Sequence, residues 1–103
     1  MYNKLVRDKI PEIIVSQNEI PVTEILSDER FQEELKRKLV EEVNEYLESG
    51  EVEELADIME VVYALSKNDG IAITTLEEIR NHKYKERGGF EQKVFLIQKS
   101  KKE

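Results

Sequence analysis

Residues 41–57, "EEVNEYLESGEVEELAD", crowd carboxylates into a stretch whose other residues are largely apolar. Glu42 and Glu45 are three apart, as are Glu54 and Asp57, and on a helix that spacing stacks two side chains on one face. Oxygen donors with no His or Cys among them suit a hard cation. Mg²⁺ fits such a set best, because it binds through a few carboxylates and keeps its other positions for water and phosphate.

The elements that position these groups are readable from periodicity. From Ser27, an expected N-cap, the apolar residues Phe31, Leu35, Leu39, Val43 and Tyr46 recur at helical spacing as far as Glu48, and Gly50 supplies the stop. A second helix runs from Val52 to Lys67 and ends at "NDG". With Phe31 at zero, Glu42 falls at about 20° around the first helix, inside the apolar arc set by Leu35, Leu39 and Val43, and Glu45 lies just beyond its edge with Lys38. On the second helix Glu54 lies between Val61 and Leu65, and Asp57 borders that arc. Folding the two helices against each other about Ser49 and Gly50 brings level those residues whose numbers add to one total, so Glu45 meets Glu54 and Glu42 meets Asp57. Like charges so placed oppose folding, more so when partly buried, and the arrangement calls for a cation.

A plainer account competes with this one. Eleven of the fourteen charged residues between Glu33 and Glu60 are acidic, and acidic residues on helices are ordinarily solvated surface. That account suits Glu33, Glu34, Glu48, Glu51 and Glu53. It suits the quartet poorly, because those four face each other from apolar arcs.

Composition narrows the function classes. The 103 residues are the length of one domain, residues 1–103, with no repeat and no Pro-, Gly- or Ser-rich linker. A formal charge of −7 argues against a nucleic-acid partner, which needs a basic face. The absence of Cys excludes a disulfide framework, a thiolate metal site and a Cys nucleophile. The longest apolar run is Val61 to Leu65 and the opening "MYNKLVRDKIPE" is charged, so neither a membrane span nor a signal peptide is expected, and the expected location is the cytoplasm.

The remaining elements follow. Pro11 belongs in the first turn of a short helix within residues 4–15. "PVTEIL" at 21–26 and "KVFLIQ" at 93–98 alternate as strands do, which predicts a small β element from the N- and C-terminal segments. A third long helix is expected from "TTLEE", with Thr74 or Thr75 and Glu77 or Glu78 as a capping box, to the residue before Gly88. The expected fold is mostly α. Val52, Leu55, Ile58, Met59, Val61, Val62 and Leu65 leave the second long helix only a narrow polar strip. Two hairpins pairing into a four-helix bundle, in a homodimer or homotetramer, would cover it.

Glu41-Glu42-x-x-Glu45 followed by Glu54-x-x-Asp57 resembles the E-E-x-x-E then E-x-x-D motif of the all-α nucleoside triphosphate pyrophosphohydrolases, the MazG-like superfamily, which includes phosphoribosyl-ATP pyrophosphohydrolase. "KLVRDKIPEII", "KLVEEVNEYLE", "EELADIMEVVYAL" and "KERGGF" look like a compact phosphoribosyl-ATP-pyrophosphohydrolase-like subgroup and span most of the chain. One departure is that eight residues separate Glu45 from Glu54, where many members have a longer insert.

The resemblance implies Mg²⁺- or Mn²⁺-dependent hydrolysis of a nucleotide between its α and β phosphates, releasing pyrophosphate and a nucleoside monophosphate. Clearance of non-standard nucleotides is one such role and the phosphoribosyl-ATP step of histidine synthesis is another. Glu42, Glu45, Glu54 and Asp57 would hold the metal, whose bound water becomes easier to deprotonate, and Glu41 would orient or deprotonate that water. Half of the Lys and Arg residues, eight of sixteen, lie from Arg80 onward. Lys83 and Arg87, four apart before "RGGF", are candidate phosphate ligands, and Arg7 in the basic group Lys4, Arg7 and Lys9 is another. Each has a plainer role: cations near a helix C-terminus favour its dipole, and Gly88 is an expected cap. His82 has no second His to share a metal site, and Tyr46 and Tyr63 fit the core at helical spacing. A metal-dependent nucleotide-binding module without turnover, and a helical scaffold with no ligand, stand beside the enzyme as alternatives.

Overall fold

A computed structural model describes residues 2–102. Among them are four helices: α1 (Ile10–Ser16), α2 (Asp28–Ser49), α3 (Val52–Asn68) and α4 (Ile73–Arg87). The mostly α architecture follows. The chain divides between Ile71 and Ala72 into two units.

In the first unit, α1 carries Pro11 in its first turn, where the missing N–H leaves no bond unmade. Helix α2 begins where Ser27 accepts a hydrogen bond from the Arg30 backbone N–H at 3.3 Å. It stops at Gly50, whose φ of 68° is the left-handed conformation that a residue without Cβ adopts freely, and whose N–H bonds the Tyr46 carbonyl at 2.8 Å. Only Gly50 and Glu51 separate α2 from α3, so the chain reverses sharply and the two helices pack against each other. The Ser49 hydroxyl accepts from the Glu51 N–H at 3.1 Å and braces the turn. At the far end of α3 the buried Ser66 hydroxyl donates to the Ile71 carbonyl at 2.8 Å, and Ile71 N–H returns a bond to the Ser66 carbonyl at 2.9 Å.

The hairpin's core is thin. Leu35 at 3 % exposed and Val61 at 8 % are the buried apolar residues. Val52, Leu55 and Met59 stay open to solvent although they belong to the hydrophobic pattern of α3, and on α2 Val40 and Leu47 are exposed as well.

The second unit consists of α4 and the residues after it. Helix α4 starts at Ile73 with Ala72, not Thr74 or Thr75, as its N-cap: the Leu76 N–H bonds the Ala72 carbonyl at 3.1 Å, and no side chain caps the first turn. The threonines fall inside that turn, where their backbone is already helical, so the expected capping box does not form. The stop before Gly88, at φ 81°, is where the sequence puts it.

No strand forms among the described residues, contrary to the alternation in 21–26 and 93–98. Alternation marks a face to be covered, but a strand also needs a neighbour to complete its backbone hydrogen bonds. Ile20, Val22 and Ile25, and likewise Val94, Phe95, Leu96 and Ile97, are exposed. Lys93, at φ 57°, belongs to a turn in which its N–H bonds the Phe90 carbonyl at 3.2 Å.

A candidate carboxylate metal centre

The α2–α3 hairpin gathers five carboxylates. One oxygen from each of Glu42, Glu54 and Asp57 lies within 4.8 Å of the others, and the same holds for Glu41, Glu42 and Glu45. Glu42 belongs to both triads and is their hinge. It is also the most enclosed acid of the cluster, 6 % exposed, where Glu41, Glu45, Glu54 and Asp57 are half-buried. Its place in the apolar arc of α2 accounts for this: Leu35, seven residues earlier on the same face, is buried too.

The facing register survives in part. Glu42 and Asp57 come together across the hairpin as equal height requires, but Glu45 groups with Glu41 and Glu42 on its own helix, while Glu54 joins Glu42 and Asp57. Height fixes position along the axis and leaves rotation free. Glu45 is turned about 60° from Glu42 around α2, toward the edge of the packed face.

Three side-chain cations lie on this cluster. Lys38, one turn before Glu42 on α2, puts its Nζ 3.3 Å from Glu42 Oε1 and 3.7 Å from Glu41 Oε2. The segment preceding α1 supplies the other two: Lys4 Nζ donates to Glu41 Oε1 at 3.0 Å, and an Arg7 terminal nitrogen donates to Asp57 Oδ1 at 2.6 Å. Lys38 was visible beside the apolar arc. The roles of Lys4 and Arg7 were not, since 37 and 50 residues separate them from their partners and no spacing rule reaches so far.

One atom has no partner. Glu42 Oε2 is buried and accepts no hydrogen bond. A buried carboxylate oxygen in that state costs free energy, and buried polar atoms are nearly always satisfied. Burial pushes the Glu42 carboxyl above the usual range, the Glu45 carboxylate adds to the rise, and Lys38 opposes it. Glu41 shifts the other way. Burial is the largest single influence and would raise it, but the hydrogen bond from Lys4 and the charges of Lys38 and Lys4 together hold it low. Lys4 is raised in turn, first by its hydrogen bond to Glu41. Two adjacent acids are thus pushed in opposite directions, Glu41 down and Glu42 up.

These observations test whether a hard divalent cation suits the residues present. The donors are oxygens, they converge within ligand-sharing distance, and the buried Glu42 Oε2 needs a positive partner. Five carboxylates against three cations leave two formal negative charges, which one divalent ion neutralises. The residues fit such an ion.

The other sequence candidates belong to the second unit. Lys83 and Arg87 are exposed on α4. Arg87 borders a concavity with Tyr84, Gly88, Gly89 and Phe90. Gly89 is close to an anion there, but the anion is the chain's own: a Cβ on Gly89 would meet Glu91 Oε2 at 2.6 Å and Tyr84 Cε2 at 2.9 Å. His82 is exposed and paired with Glu86 at 3.0 Å. Tyr46 and Tyr63 are half-buried on α2 and α3.

Comparison of the chain with family models, with curated proteins and with solved structures finds no match. No helix among the described residues is long and apolar enough to cross a membrane.

Proposed function

We propose that the chain is a divalent-metal-dependent nucleotide pyrophosphohydrolase, a cytoplasmic enzyme acting on a nucleoside triphosphate or related nucleotide between the α and β phosphates. The observation that carries this reading is the buried, unpartnered Oε2 of Glu42, on a carboxylate that converges with those of Glu54 and Asp57. The MazG-like pattern of Glu41, Glu42, Glu45, Glu54 and Asp57 supplies the reaction.

In this reading Glu42, Glu54 and Asp57 hold Mg²⁺ or Mn²⁺, with Glu45 completing the set beside Glu42. The metal, when bound, neutralises phosphate charge and makes a bound water easier to deprotonate. Glu41 orients the attacking water. Its two oxygens are fixed by Lys4 and Lys38, which keep it ionised and able to accept a hydrogen bond, at some cost in basicity. Water adds across the phosphoanhydride: its oxygen joins one phosphorus, the bridging bond breaks, and its proton passes by way of Glu41 to solvent. The products are a nucleoside monophosphate and pyrophosphate. Arg7 is the proposed phosphate ligand at the cluster, and clearance of non-standard nucleotides or hydrolysis of phosphoribosyl-ATP is the proposed role.

The assembly is a homodimer or homotetramer in which two α2–α3 hairpins form a four-helix bundle. Leu47 at 73 % and Val52 at 74 % exposed, together with Leu55 and Met59, are the apolar positions that such pairing would cover. An oligomer would also offer residues 21–26 and 93–98 the neighbouring backbone that a strand requires.

The ion pairs made by three cations favour a second reading. Lys4, Arg7 and Lys38 go some way to neutralising the cluster without metal, as a helical scaffold or a non-catalytic nucleotide-binding module would need. A screen of nucleoside triphosphates and phosphoribosyl-ATP with Mg²⁺ or Mn²⁺, scoring pyrophosphate against orthophosphate, separates them. The enzyme reading expects pyrophosphate and monophosphate in equal amounts. Orthophosphate as the first product excludes α/β cleavage, and no product from any nucleotide favours the module or the scaffold.

A further inference from the structure

Of the cations on the carboxylate cluster, Lys38 belongs to α2, one turn from Glu42, and its side chain is only 15 % exposed. Lys4 and Arg7 differ. They belong to the residues before α1, outside any helix, and their side chains are 41 % and 55 % exposed. They are three residues apart in sequence and each bonds a different helix of the hairpin, Lys4 α2 through Glu41 and Arg7 α3 through Asp57. Exposed ion pairs of this kind are weak and exchangeable.

We infer that Lys4 and Arg7 are exchangeable counter-ions of the carboxylate site: Arg7 yields Asp57 to a divalent cation, Lys4 releases Glu41 to the water it orients, and both then bind the phosphates of the incoming nucleotide. The inference rests on the metal-site reading above and adds to it an order of events and a further phosphate ligand, Lys4. Charge permits the exchange. A divalent ion that takes the place of Lys4 and Arg7 leaves the net charge of the cluster unchanged and frees both side chains. A polyphosphate arriving with that ion brings several more negative charges, and the most exposed cations on the cluster, Lys4 and Arg7, are the ones placed to turn toward it. Arg7 has donors to spare beyond the one on Asp57, and its planar fork suits phosphate oxygens. Asp57 loses a hydrogen bond in the exchange but gains a cation of twice the charge.

The test uses the full chain, with free Mn²⁺ followed by electron paramagnetic resonance and binding of the Mn²⁺–pyrophosphate complex followed by calorimetry. Lys4→Met and Arg7→Met should each bind Mn²⁺ about two- to fivefold more tightly than the parent, since a competing surface ion pair has been removed. Each should bind Mn²⁺–pyrophosphate at least about tenfold more weakly. Arg7→Lys keeps the charge and should stay near the parent for Mn²⁺, which guards against a folding defect in Arg7→Met. Arg30→Met, which breaks an ion pair with Glu24 outside the cluster, should change neither value. Unchanged or weaker Mn²⁺ binding in both Met variants overturns the exchange while leaving the metal site intact, and tighter Mn²⁺ with unaltered pyrophosphate binding overturns the phosphate role. A parent that binds no Mn²⁺ overturns the exchange and the metal site together.

Discussion

Glu42→Gln turns the buried, unpartnered oxygen into a measurable quantity. The substitution keeps the shape of the side chain. The amide oxygen can take the place of Oε1 beside Lys38, and the NH₂ then occupies the position of Oε2, where the carboxylates of Glu54 and Asp57 can accept from it. An orphaned acceptor becomes a satisfied donor and one repelling charge disappears. Leaving a buried polar group unsatisfied costs about 1–3 kcal/mol, so the metal-free variant should be more stable than the metal-free parent by an amount of that order. For a chain of this size each kcal/mol moves the melting midpoint by about 4–8 °C. Metal should reverse the order. At a concentration about 100 times its Kd, Mg²⁺ stabilises the parent by about 2.7 kcal/mol through linkage, and the variant, lacking the central ligand, should gain little. Thermal melts of parent, Glu42→Gln and Glu48→Gln, in EDTA and in Mg²⁺, should therefore cross for the first pair. Glu48, exposed on the same helix, should track the parent within about 0.5 kcal/mol. If Glu42→Gln is less stable than the parent in EDTA and Mg²⁺ leaves the parent's midpoint unmoved, Glu42 serves structure and the reasoning fails.

Carboxyl ¹³C titration of the metal-free protein should find Glu42 protonating above the ordinary range and Glu41 below it, with Glu41 moving up in Lys4→Met. The stability consequences have opposite signs. Glu41 contributes stability that is present above its unfolded value of 4.5 and lost as pH falls through its lower folded value, whereas ionised Glu42 opposes folding until pH falls through its raised one. Lys4 contributes stability that is fully present below 10.5 and lost as pH rises through its higher folded value, which a melt series at alkaline pH should detect as a shallow decline absent from Lys4→Met. Gly50→Ala should cost about 1–2 kcal/mol in denaturant titration, through backbone strain alone, because φ is 68° and a Cβ there would meet nothing within 4 Å. Sedimentation equilibrium should give a dimer or tetramer mass that Leu55→Glu reduces; a parent monomer at all concentrations would remove the bundle.

Local rules made much of this molecule legible. The Ser27 cap, the Gly50 stop and the burial of Glu42 beside Leu35 follow from short-range patterns whose physics is complete within a few residues. What lay beyond those rules was of two kinds. Lys4 and Arg7 reach the cluster through contacts between distant parts of the chain, which no periodicity encodes. The strands expected at 21–26 and 93–98 depend on a partner, and alternation states only that a face would be buried if one were present. Thr74 and Thr75 failed as caps for a smaller reason: several residues in a row can start a helix, and the backbone bond from Leu76 to Ala72 chose the earliest.

The central claim is that Glu42, Glu54 and Asp57 hold a divalent cation. Anomalous diffraction at the manganese edge from crystals grown with Mn²⁺ tests it most directly. The account predicts one strong peak bonded to Glu42 Oε2 and to oxygens of Glu54 and Asp57. A map with no peak at that place, and with Glu42 Oε2 still unpartnered at saturating Mn²⁺, would contradict it.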